Sequence, residues 1–275
     1  PLYERLLELV AEKEIVLADE TTQRVQAKGK TRTAWLWSFI ARDEAEKEII
    51  AYVFSRSRSG ETPLRVLGDT LGKLVADAYS GYNRITQPGR RERAGCLAHL
   101  RRKFFDAQST APDAAKQAIN FILDVYRIER AALDADLLGT EKHLEMRQTA
   151  SKAVMDDFKA WLDAEQPRHP PRSPIGEAIG YALGQWHALT LFLTDQHLPI
   201  DNNASERALR VAALGRKNFL FVGHDEAGDT DESEGKQRLM HGSILFRGPV
   251  ETGINLVFIQ RTRGALLQLY KKLRF

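Results

Sequence analysis

Three acidic residues stand where carboxylates are unusual in a folded chain, and together they could support metal-dependent chemistry. Asp19 and Asp77 each fall in a strand-like segment beside other polar residues, where a sheet normally places apolar side chains. Glu206 follows Asn203 by three residues at the start of a predicted helix. Carboxylates from two adjacent strands and a packed helix would form an oxygen-rich site, which hard divalent cations prefer. Two such ions, roughly 3.5–4 Å apart, could activate water or a DNA 3′-hydroxyl at a phosphodiester.

Each carboxylate also has a purely structural interpretation. Glu206 fits the N3 position of a capping box that begins at Asn203, and such boxes are common at helix starts. Asp201 is an alternative cap for the same helix. Asp19 and Asp77 could each begin a turn. The catalytic interpretation therefore depends on whether the fold brings the three side chains together.

Basic residues cluster in two stretches, although the formal net charge of the chain is only +3. One stretch runs from Arg84 to Lys103 and contains a single acid, Glu92, and the other lies in the helix that follows Asn203. A solvated charged face is the usual meaning of such runs, and a phosphate-binding surface is the alternative. On that alternative, the predicted DNA-binding residues are Arg101, Arg102, Lys103, Arg207, Arg210, Arg216 and Lys217.

Composition indicates a globular protein of one large domain or two. The chain has 275 residues, and its 43% hydrophobic content is ample for a core. It contains no stretch of about 20 apolar residues and no basic-then-apolar start, so we expect a cytoplasmic protein without a membrane partner. Cys96 is the single cysteine, which excludes an internal disulfide and a multi-cysteine zinc site. A start at proline suggests a processed chain or a fragment.

The first part of the sequence predicts an α/β core. A short amphipathic helix over residues 1–13 is followed by a strand that begins at Glu14 as a buried apolar run and then alternates. Further strands over 32–41 and 48–55 complete an antiparallel meander. A helix over 60–68 then leads to a fourth strand over 71–77, which the helical connection makes parallel to the first. Parallel neighbours of this kind would place Asp19 and Asp77 within side-chain reach.

The middle of the sequence predicts a helical insertion before the last helix. A short fifth strand at 94–97 precedes a basic helix over 99–105, and helical periodicity then covers 114–137, 141–165 and 176–194. The predicted division is residues 1–111 as the first part of a catalytic core, 112–196 as the helical insertion, 197–228 as the last part of the core with the third acid, and 229–275 as an atypical C-terminal tail.

A series of short motifs in one order resembles a known family. The motifs are Asp-Glu-Thr, then Asp-x-Tyr-x-Gly-Tyr, Gly-Cys-x-Ala-His-x-Arg-Arg-Lys-Phe, Asp-Asn-Asn-x-x-Glu-Arg and Gly-Arg-Lys-Asn-x-Leu-Phe, at residues 19–21, 77–82, 95–104, 201–207 and 215–221. The combination closely resembles the transposases of bacterial insertion-sequence family sixty-six. It covers residues 14 to about 228 of the chain.

The resemblance implies an RNase H-like mixed sheet with a DDE triad, and it carries over to Asp19, Asp77 and Glu206 as catalytic and metal-binding residues. It further implies two Mg²⁺ or Mn²⁺ ions, nicking at transposon ends, and joining of the freed 3′-hydroxyl to target DNA. The implied partners are transposon-end and target DNA, further copies of the same chain, and accessory proteins of the same element. Such a protein would associate with the bacterial nucleoid when it is bound to DNA.

Two departures from the family pattern leave other functions open. The longer N-terminal region with a coiled coil and a cysteine-rich segment does not precede the motifs, and the match stops after Gly228. A truncated or frameshifted copy would explain both. One alternative is therefore an inactive DNA-binding remnant, and another is an RNase H-like nuclease that cleaves strands without joining them.

Overall fold

A computed structural model of the chain describes residues 2–27, 30–44, 46–218, 243–247 and 256–260. Contacts divide the chain into two compact units. The first unit comprises residues 1–92 and 203–275, and the second comprises residues 93–202. Residues 93–111 were predicted to lie in the first part of the core. Their contacts instead place them in the helical second unit.

A mixed sheet of five strands organises the first unit, which confirms the predicted α/β class and is compatible with an RNase H-like core. The three long strands pair antiparallel along the chain, and the fourth pairs parallel with the first. The sheet order is β3-β2-β1-β4-β5. The strands are β1 (Ile15–Ala27), β2 (Lys30–Arg42), β3 (Glu48–Ser55), β4 (Lys73–Val75) and β5 (Glu92–Ala94).

One face of this sheet is apolar and packs against two helices, α1 (Leu2–Ala11) and α2 (Glu61–Leu67). Trp37 and Phe39 of β2 are fully buried there. Burial of each large apolar side chain stabilises the fold by about 1.5–3 kcal/mol. The apolar stripe of α1 is therefore sufficient to hold that helix on the sheet.

The fourth strand is shorter than the predicted strand over 71–77. It ends at Val75, so Asp77 lies beyond it and before a 3₁₀ turn over Ser80–Ile85. Gly72 at its start has φ 112°, and a side chain there would meet the carbonyl oxygen of Glu14 at 2.2 Å. Asp77 Oδ1 accepts a hydrogen bond from the Tyr79 N–H at 2.9 Å. The extended segment is thus limited by a tight glycine on one side and an aspartate turn on the other.

The basic stretch from Arg84 is only partly available to a phosphate. Arg91 is 1% exposed, and its guanidinium donates to the backbone carbonyls of Ala11 at 2.6 Å and Lys13 at 2.9 Å. Burial lowers the pKa of Arg91 to about 10. Its position at the end of α1 satisfies carbonyls that a helix C-terminus leaves unpaired. Arg91 therefore has a structural role within the first unit.

Helices make up most of the second unit, as predicted. They are α3 (Leu97–Asp106), α4 (Pro112–Asp134), α5 (Glu141–Met146), α6 (Lys152–Glu165), α7 (Pro174–Gly184) and α8 (Trp186–Thr190). A π turn over Arg147–Ser151 joins α5 to α6, so the single helix predicted over 141–165 is interrupted. Ser173 caps α7 by accepting a hydrogen bond from the Gly176 N–H at 3.2 Å, as expected for serine before a proline-led helix.

The chain returns to the first unit through α9 (Asn203–Asn218), which begins at the predicted residue. Two further strands, β6 (Ser243–Arg247) and β7 (Leu256–Gln260), pair antiparallel. The remainder of the predicted C-terminal tail lies outside the described residues. Within the described part of the chain, no helix has both the length and the apolar character needed to span a bilayer.

Candidate active site

The parallel pairing of β1 with β4 brings two of the predicted acids to neighbouring positions. The last paired residues are Leu17 and Val75, and Asp19 and Asp77 each stand two residues further along. Adjacent strands are about 4.8 Å apart. Strand pairing therefore delivers both carboxylates to the same end of the β1–β4 ladder, although Asp77 itself is in the turn.

Asp19 faces the side of the sheet opposite the apolar core. Its neighbour Ala18 belongs to that core, and successive residues of a strand point to opposite faces. Asp19 pairs with Ser38 of β2, which is completely buried. The carboxylate is half-buried, and its Oδ1 accepts the Glu20 N–H at 2.8 Å. A partly desolvated acid is thus fixed to a central strand.

Helix α9 covers this same face and carries the third acid. It packs against β1 and β2, and the Tyr52 hydroxyl of β3 donates to the Ala208 carbonyl of α9 at 2.9 Å. Ala208 and Leu209 are buried, whereas Glu206 is half-buried. The buried stripe of α9 therefore anchors the helix, and Glu206 lies one turn before its anchoring residues.

The three predicted acids interact electrostatically. The pKa of Asp19 is raised to about 7, first by burial and then by the negative charges of Glu20, Asp77 and Glu206, while the hydrogen bond from the Glu20 N–H acts in the opposite direction. One carboxylate raises the pKa of another in this way only when the two lie near one another. Side chains separated by 58 and 129 positions in the sequence therefore share one electrostatic environment.

The donor chemistry fits a hard divalent cation, but the side chains do not form a closed cage. Among the residues that the structure describes, no three His, Cys, Asp or Glu side chains are grouped so as to hold one metal ion. Mg²⁺ is commonly held by one or two carboxylates, with waters and substrate phosphates completing its shell. The negative charges of Asp77 and Glu206 disfavour ionisation of Asp19, and a bound cation would offset that effect. The metal-binding and catalytic roles of the three residues stay predictions.

A second acid, Glu20, lies beside Asp19 in β1, and its buried role was not predicted from the sequence. Glu20 points to the apolar face, its side chain is 1% exposed, and it forms an ion pair with Arg58 at 2.6 Å. Burial raises the pKa of Glu20, while hydrogen bonds from Tyr82 and Arg58 act to lower it. An acid at the inward position of an alternating strand was the available signal, because such a residue requires a partner.

The predicted DNA-binding residues are largely on the surface. Arg101, Arg102 and Lys103 of α3 are exposed, as is Arg210 of α9. The side chain of Arg207 is 64% exposed and lies 4.0 Å from Glu48. The side chains of Arg216 and Lys217 fall outside the described residues. Exposure is what phosphate binding requires, and the assignment of these residues to DNA stays a prediction.

Comparison with known proteins agrees with the motif order. A sequence model described as the transposase IS66 family matches residues 1–230. The chain belongs to the IS66 family of transposases. This confirms the family resemblance, and the five motifs all lie within the matched residues.

The IS66 chain is also similar to three proteins of Sinorhizobium fredii strain NGR234, each named only as uncharacterized. It is 36% identical to protein y4qI over 83% of this chain and 44% of that protein. It is 32% identical to protein y4hP over 83% of this chain and 45% of that protein, and 32% identical to protein y4jD over 84% and 47%. The chain thus spans less than half the length of the curated relatives it matches.

Replacement of Asp19 by asparagine should stabilise the metal-free protein at neutral pH. Because its folded-state pKa of about 7 exceeds the ordinary value of about 3.9, the wild type loses stability as the pH rises from about 4 to 7. The asparagine side chain cannot ionise, so D19N should be more stable than wild type by about 1–3 kcal/mol at pH 8, and this difference should shrink toward pH 4. Urea unfolding in EDTA across this range measures it.

The matched control for this prediction is Asp156→Asn. Asp156 is exposed and pairs with Lys152 of the same helix, so its neutralisation should change stability by less than about 1 kcal/mol at every pH. If the free energy of unfolding of D19N had the same pH dependence as that of wild type from pH 4 to pH 8, the pKa of Asp19 would not be raised in the folded protein.

Proposed function

We propose that this chain carries the catalytic centre of a metal-dependent DNA strand transferase, which nicks DNA at transposon ends and joins the freed 3′-hydroxyl to target DNA. Asp19, Asp77 and Glu206 are its catalytic residues. The proposal rests above all on one arrangement in a member of a transposase family: the pairing of β1 with β4 and the packing of α9 on β1 gather Asp19, Asp77 and Glu206 at one part of the first unit. The negative charges of Asp77 and Glu206 contribute to the raised pKa of Asp19, which agrees with that arrangement.

The three carboxylates would hold Mg²⁺ or Mn²⁺, two ions in the full proposal. When bound, such ions polarise a phosphoryl oxygen and lower the pKa of a coordinated water or hydroxyl. The protein's own part is to supply negative charge from fixed positions. Asp19 is held by β1 and by the Glu20 N–H, and Asp77 is held by its turn to Tyr79. Glu206 is carried by a helix whose next turn is anchored on the sheet.

The reaction needs no covalent bond to the protein. In the nicking step, a water oxygen attacks the phosphorus at the transposon end and loses a proton, and the 3′-oxygen leaves and takes up a proton. In the joining step, that 3′-hydroxyl attacks a target phosphodiester and loses its proton, and the displaced target 3′-oxygen takes up a proton. Both steps exchange one P–O bond for another. One active site could therefore carry out nicking first and joining second.

DNA is the partner that family membership indicates. The exposed arginines of α9, Arg207 and Arg210, lie one and four residues after Glu206 and would contact phosphates rather than bases. Arg101, Arg102 and Lys103 would add contacts from α3. Affinity from such contacts should fall steeply with salt concentration. Further copies of the chain and accessory proteins of the same element belong to this proposal as partners.

A joining assay with a pre-cleaved end tests the proposal. The substrate is a labelled duplex of the inverted repeat that flanks the gene, ending in a free 3′-hydroxyl, mixed with target plasmid in Mg²⁺ or Mn²⁺. We expect joined product in either metal and none in EDTA. A matched duplex ending in a 3′-deoxy nucleotide should give no joined product, because it lacks the attacking oxygen.

The outcomes separate the three candidate functions. Metal-dependent cleavage of an uncut end without joining in any condition would indicate a nuclease on the same scaffold. Salt-sensitive DNA binding with neither cleavage nor joining would indicate an inactive remnant. Either result would overturn strand transfer as the activity of this chain.

A further inference from the structure

Glu20 uses both of its carboxylate oxygens on the face of the sheet opposite Asp19. Oε1 accepts from Arg58 Nε at 2.8 Å and from a terminal nitrogen of the same guanidinium at 2.6 Å. Oε2 accepts from the Tyr82 hydroxyl at 2.7 Å. A desolvated carboxylate is tolerated when it is paired in this way. Glu20 therefore ties β1 to two segments that are distant in sequence.

Arg58 is held in place by aromatic rings as well as by Glu20. Its guanidinium carbon lies 3.9 Å from the centroid of the Tyr79 ring and 5.0 Å from that of Trp35. The Tyr79 hydroxyl donates to the backbone carbonyl of Arg58 at 2.5 Å. Cation–π contact and a backbone hydrogen bond thus join the loop after β3 to the segment that carries Asp77.

Tyr82 completes the arrangement and explains the spacing of the motif that contains it. It is fully buried, and its ring meets Tyr79 edge-on at 5.9 Å. A side chain at Gly81 would approach the Tyr79 ring to 2.1 Å, and one at Gly60 would meet the Gly81 carbonyl oxygen at 2.6 Å. The Tyr-x-Gly-Tyr pattern is therefore what this close packing requires.

These contacts form a continuous path between two of the acids. Asp19 precedes Glu20 in β1, Glu20 binds Arg58 and Tyr82, and Arg58 lies against Tyr79. The Tyr79 N–H in turn donates to the carboxylate of Asp77 at 2.9 Å. Every member of the path lies in the first compact unit. The segment after β4 is thus fixed relative to β1 by side chains, where the strand pairing has already ended.

We propose that Glu20, Arg58, Tyr79 and Tyr82 are positioning residues that set Asp77 relative to Asp19 and thereby fix the geometry of the metal-binding carboxylates. The proposal rests on the proposed function, because it assigns a role in that same site. We call this set of four the bracket. Outer residues that orient metal ligands commonly change metal affinity 10–100-fold when they are replaced.

The test compares E20Q and Y82F with the matched variant Tyr3→Phe in the full chain. E20Q keeps the shape of the side chain but removes its charge, and Y82F removes one hydroxyl. Tyr3 is a buried tyrosine of the same apolar core whose hydroxyl donates to the Tyr52 carbonyl at 3.4 Å. Y3F therefore controls for loss of a buried tyrosine hydroxyl away from the bracket.

Two measurements are made on each protein. Hydrogen exchange without metal reports on amides 76–82, where we expect E20Q and Y82F to exchange at least about tenfold faster than wild type or Y3F. Thermal melting against Mn²⁺ concentration reports on metal binding. There we expect the half-saturating Mn²⁺ concentration to rise about tenfold or more in E20Q and Y82F and to change less than twofold in Y3F.

Hydrogen exchange and Mn²⁺-dependent melting together distinguish failure of the positioning role from failure of the proposed function. Unchanged exchange at 76–82, or faster exchange with wild-type Mn²⁺ binding, would overturn the positioning role while leaving the metal site intact. A general loss of melting temperature that Y3F shares, with unchanged half-saturation, would also overturn it, because a merely structural role predicts that pattern. Absence of Mn²⁺ stabilisation in both wild type and Y3F would instead refute the proposed function, and the bracket's role would fall with it.

Discussion

Neutralising any one of the three acids should reduce metal-dependent joining on the order of 10³-fold. The variants are D19N, D77N and E206Q, each of which keeps the size of the side chain and removes its charge. Metal-assisted stabilisation of a phosphoryl transition state is worth several kcal/mol, and about 1.4 kcal/mol corresponds to tenfold in rate. Single-turnover joining of a pre-cleaved end measures the effect without a contribution from nicking.

The control for this prediction is an exposed acid of the same unit. The Asp69 side chain is 84% exposed and pairs with Arg90, so D69N should join within about twofold of wild type. DNA binding in EDTA should be retained by all four variants, because the phosphate contacts are assigned to arginines and lysines. The mechanism is wrong if D19N, D77N or E206Q joins as well as D69N.

Combining the substitutions gives a sharper version of the same test. If the three carboxylates act as one unit, D19N/E206Q should join little more slowly than D19N alone, because removal of one ligand already disables the site. Additive losses would mean that the residues act separately. The electrostatic interaction of Asp19 with both other acids favours the first result.

The long periodic elements could be predicted from the sequence because their patterns have few alternatives. The alternation that begins in β1 and the aromatic run of β2 are typical of strands, and both strands formed as expected. The start of α9 at Asn203 was equally legible. Family motifs then supported the choice of these three acids, which their places in predicted strands and a predicted helix had already suggested.

What the sequence concealed was the use of charged side chains inside the protein. Arg91 lies in a run that suggests a basic surface, yet it is buried among carbonyl groups at the end of α1. Glu20 looks like the polar half of a strand, yet it binds Arg58 on the apolar face. The Glu20–Arg58 pair is separated by 38 positions in sequence and the Arg91–Ala11 contact by 80, and local pattern carries no information about such pairs.

A buried charged side chain also lies at the π turn of the second unit. Arg147, at its first residue, is 2% exposed and forms a two-pronged ion pair with Glu129 of α4, at 2.8 and 2.6 Å. His143 Nε2 lies 3.2 Å from each Glu129 oxygen, while its Nδ1 accepts the Gly139 N–H at 3.2 Å. The imidazole therefore donates through Nε2. Arg147 and His143 thus both donate to the Glu129 carboxylate at the π turn between α5 and α6.

The Arg147 guanidinium also binds the backbone of the segment that ends the helical unit. One terminal nitrogen contacts three backbone carbonyls, those of Phe192, Asp195 and Leu198, at 3.3, 2.5 and 2.9 Å. These residues follow α8 and precede the Asp-Asn-Asn motif. Loss of the side chain would leave Glu129 without this cation and would remove one donor from each of the three carbonyls, of which those of Phe192 and Asp195 also accept backbone N–H groups.

Arg147→Met should therefore destabilise the second unit by about 3–5 kcal/mol, the cost of breaking a buried ion pair by removing one partner. Urea unfolding measures the loss, and hydrogen exchange over 191–198 should show it locally, since the two units need not unfold together. The matched control is Arg127→Met. The Arg127 side chain is 70% exposed and pairs with Asp124 on the same helix, so its replacement should cost less than about 1 kcal/mol.

A double variant distinguishes loss of the pair from loss of packing. In E129Q/R147M the remaining carboxylate charge is also removed, so part of the R147M loss should be recovered, which the same loss of side-chain volume could not explain. If R147M and R127M unfold at the same urea concentration, the buried pair contributes nothing to the second unit.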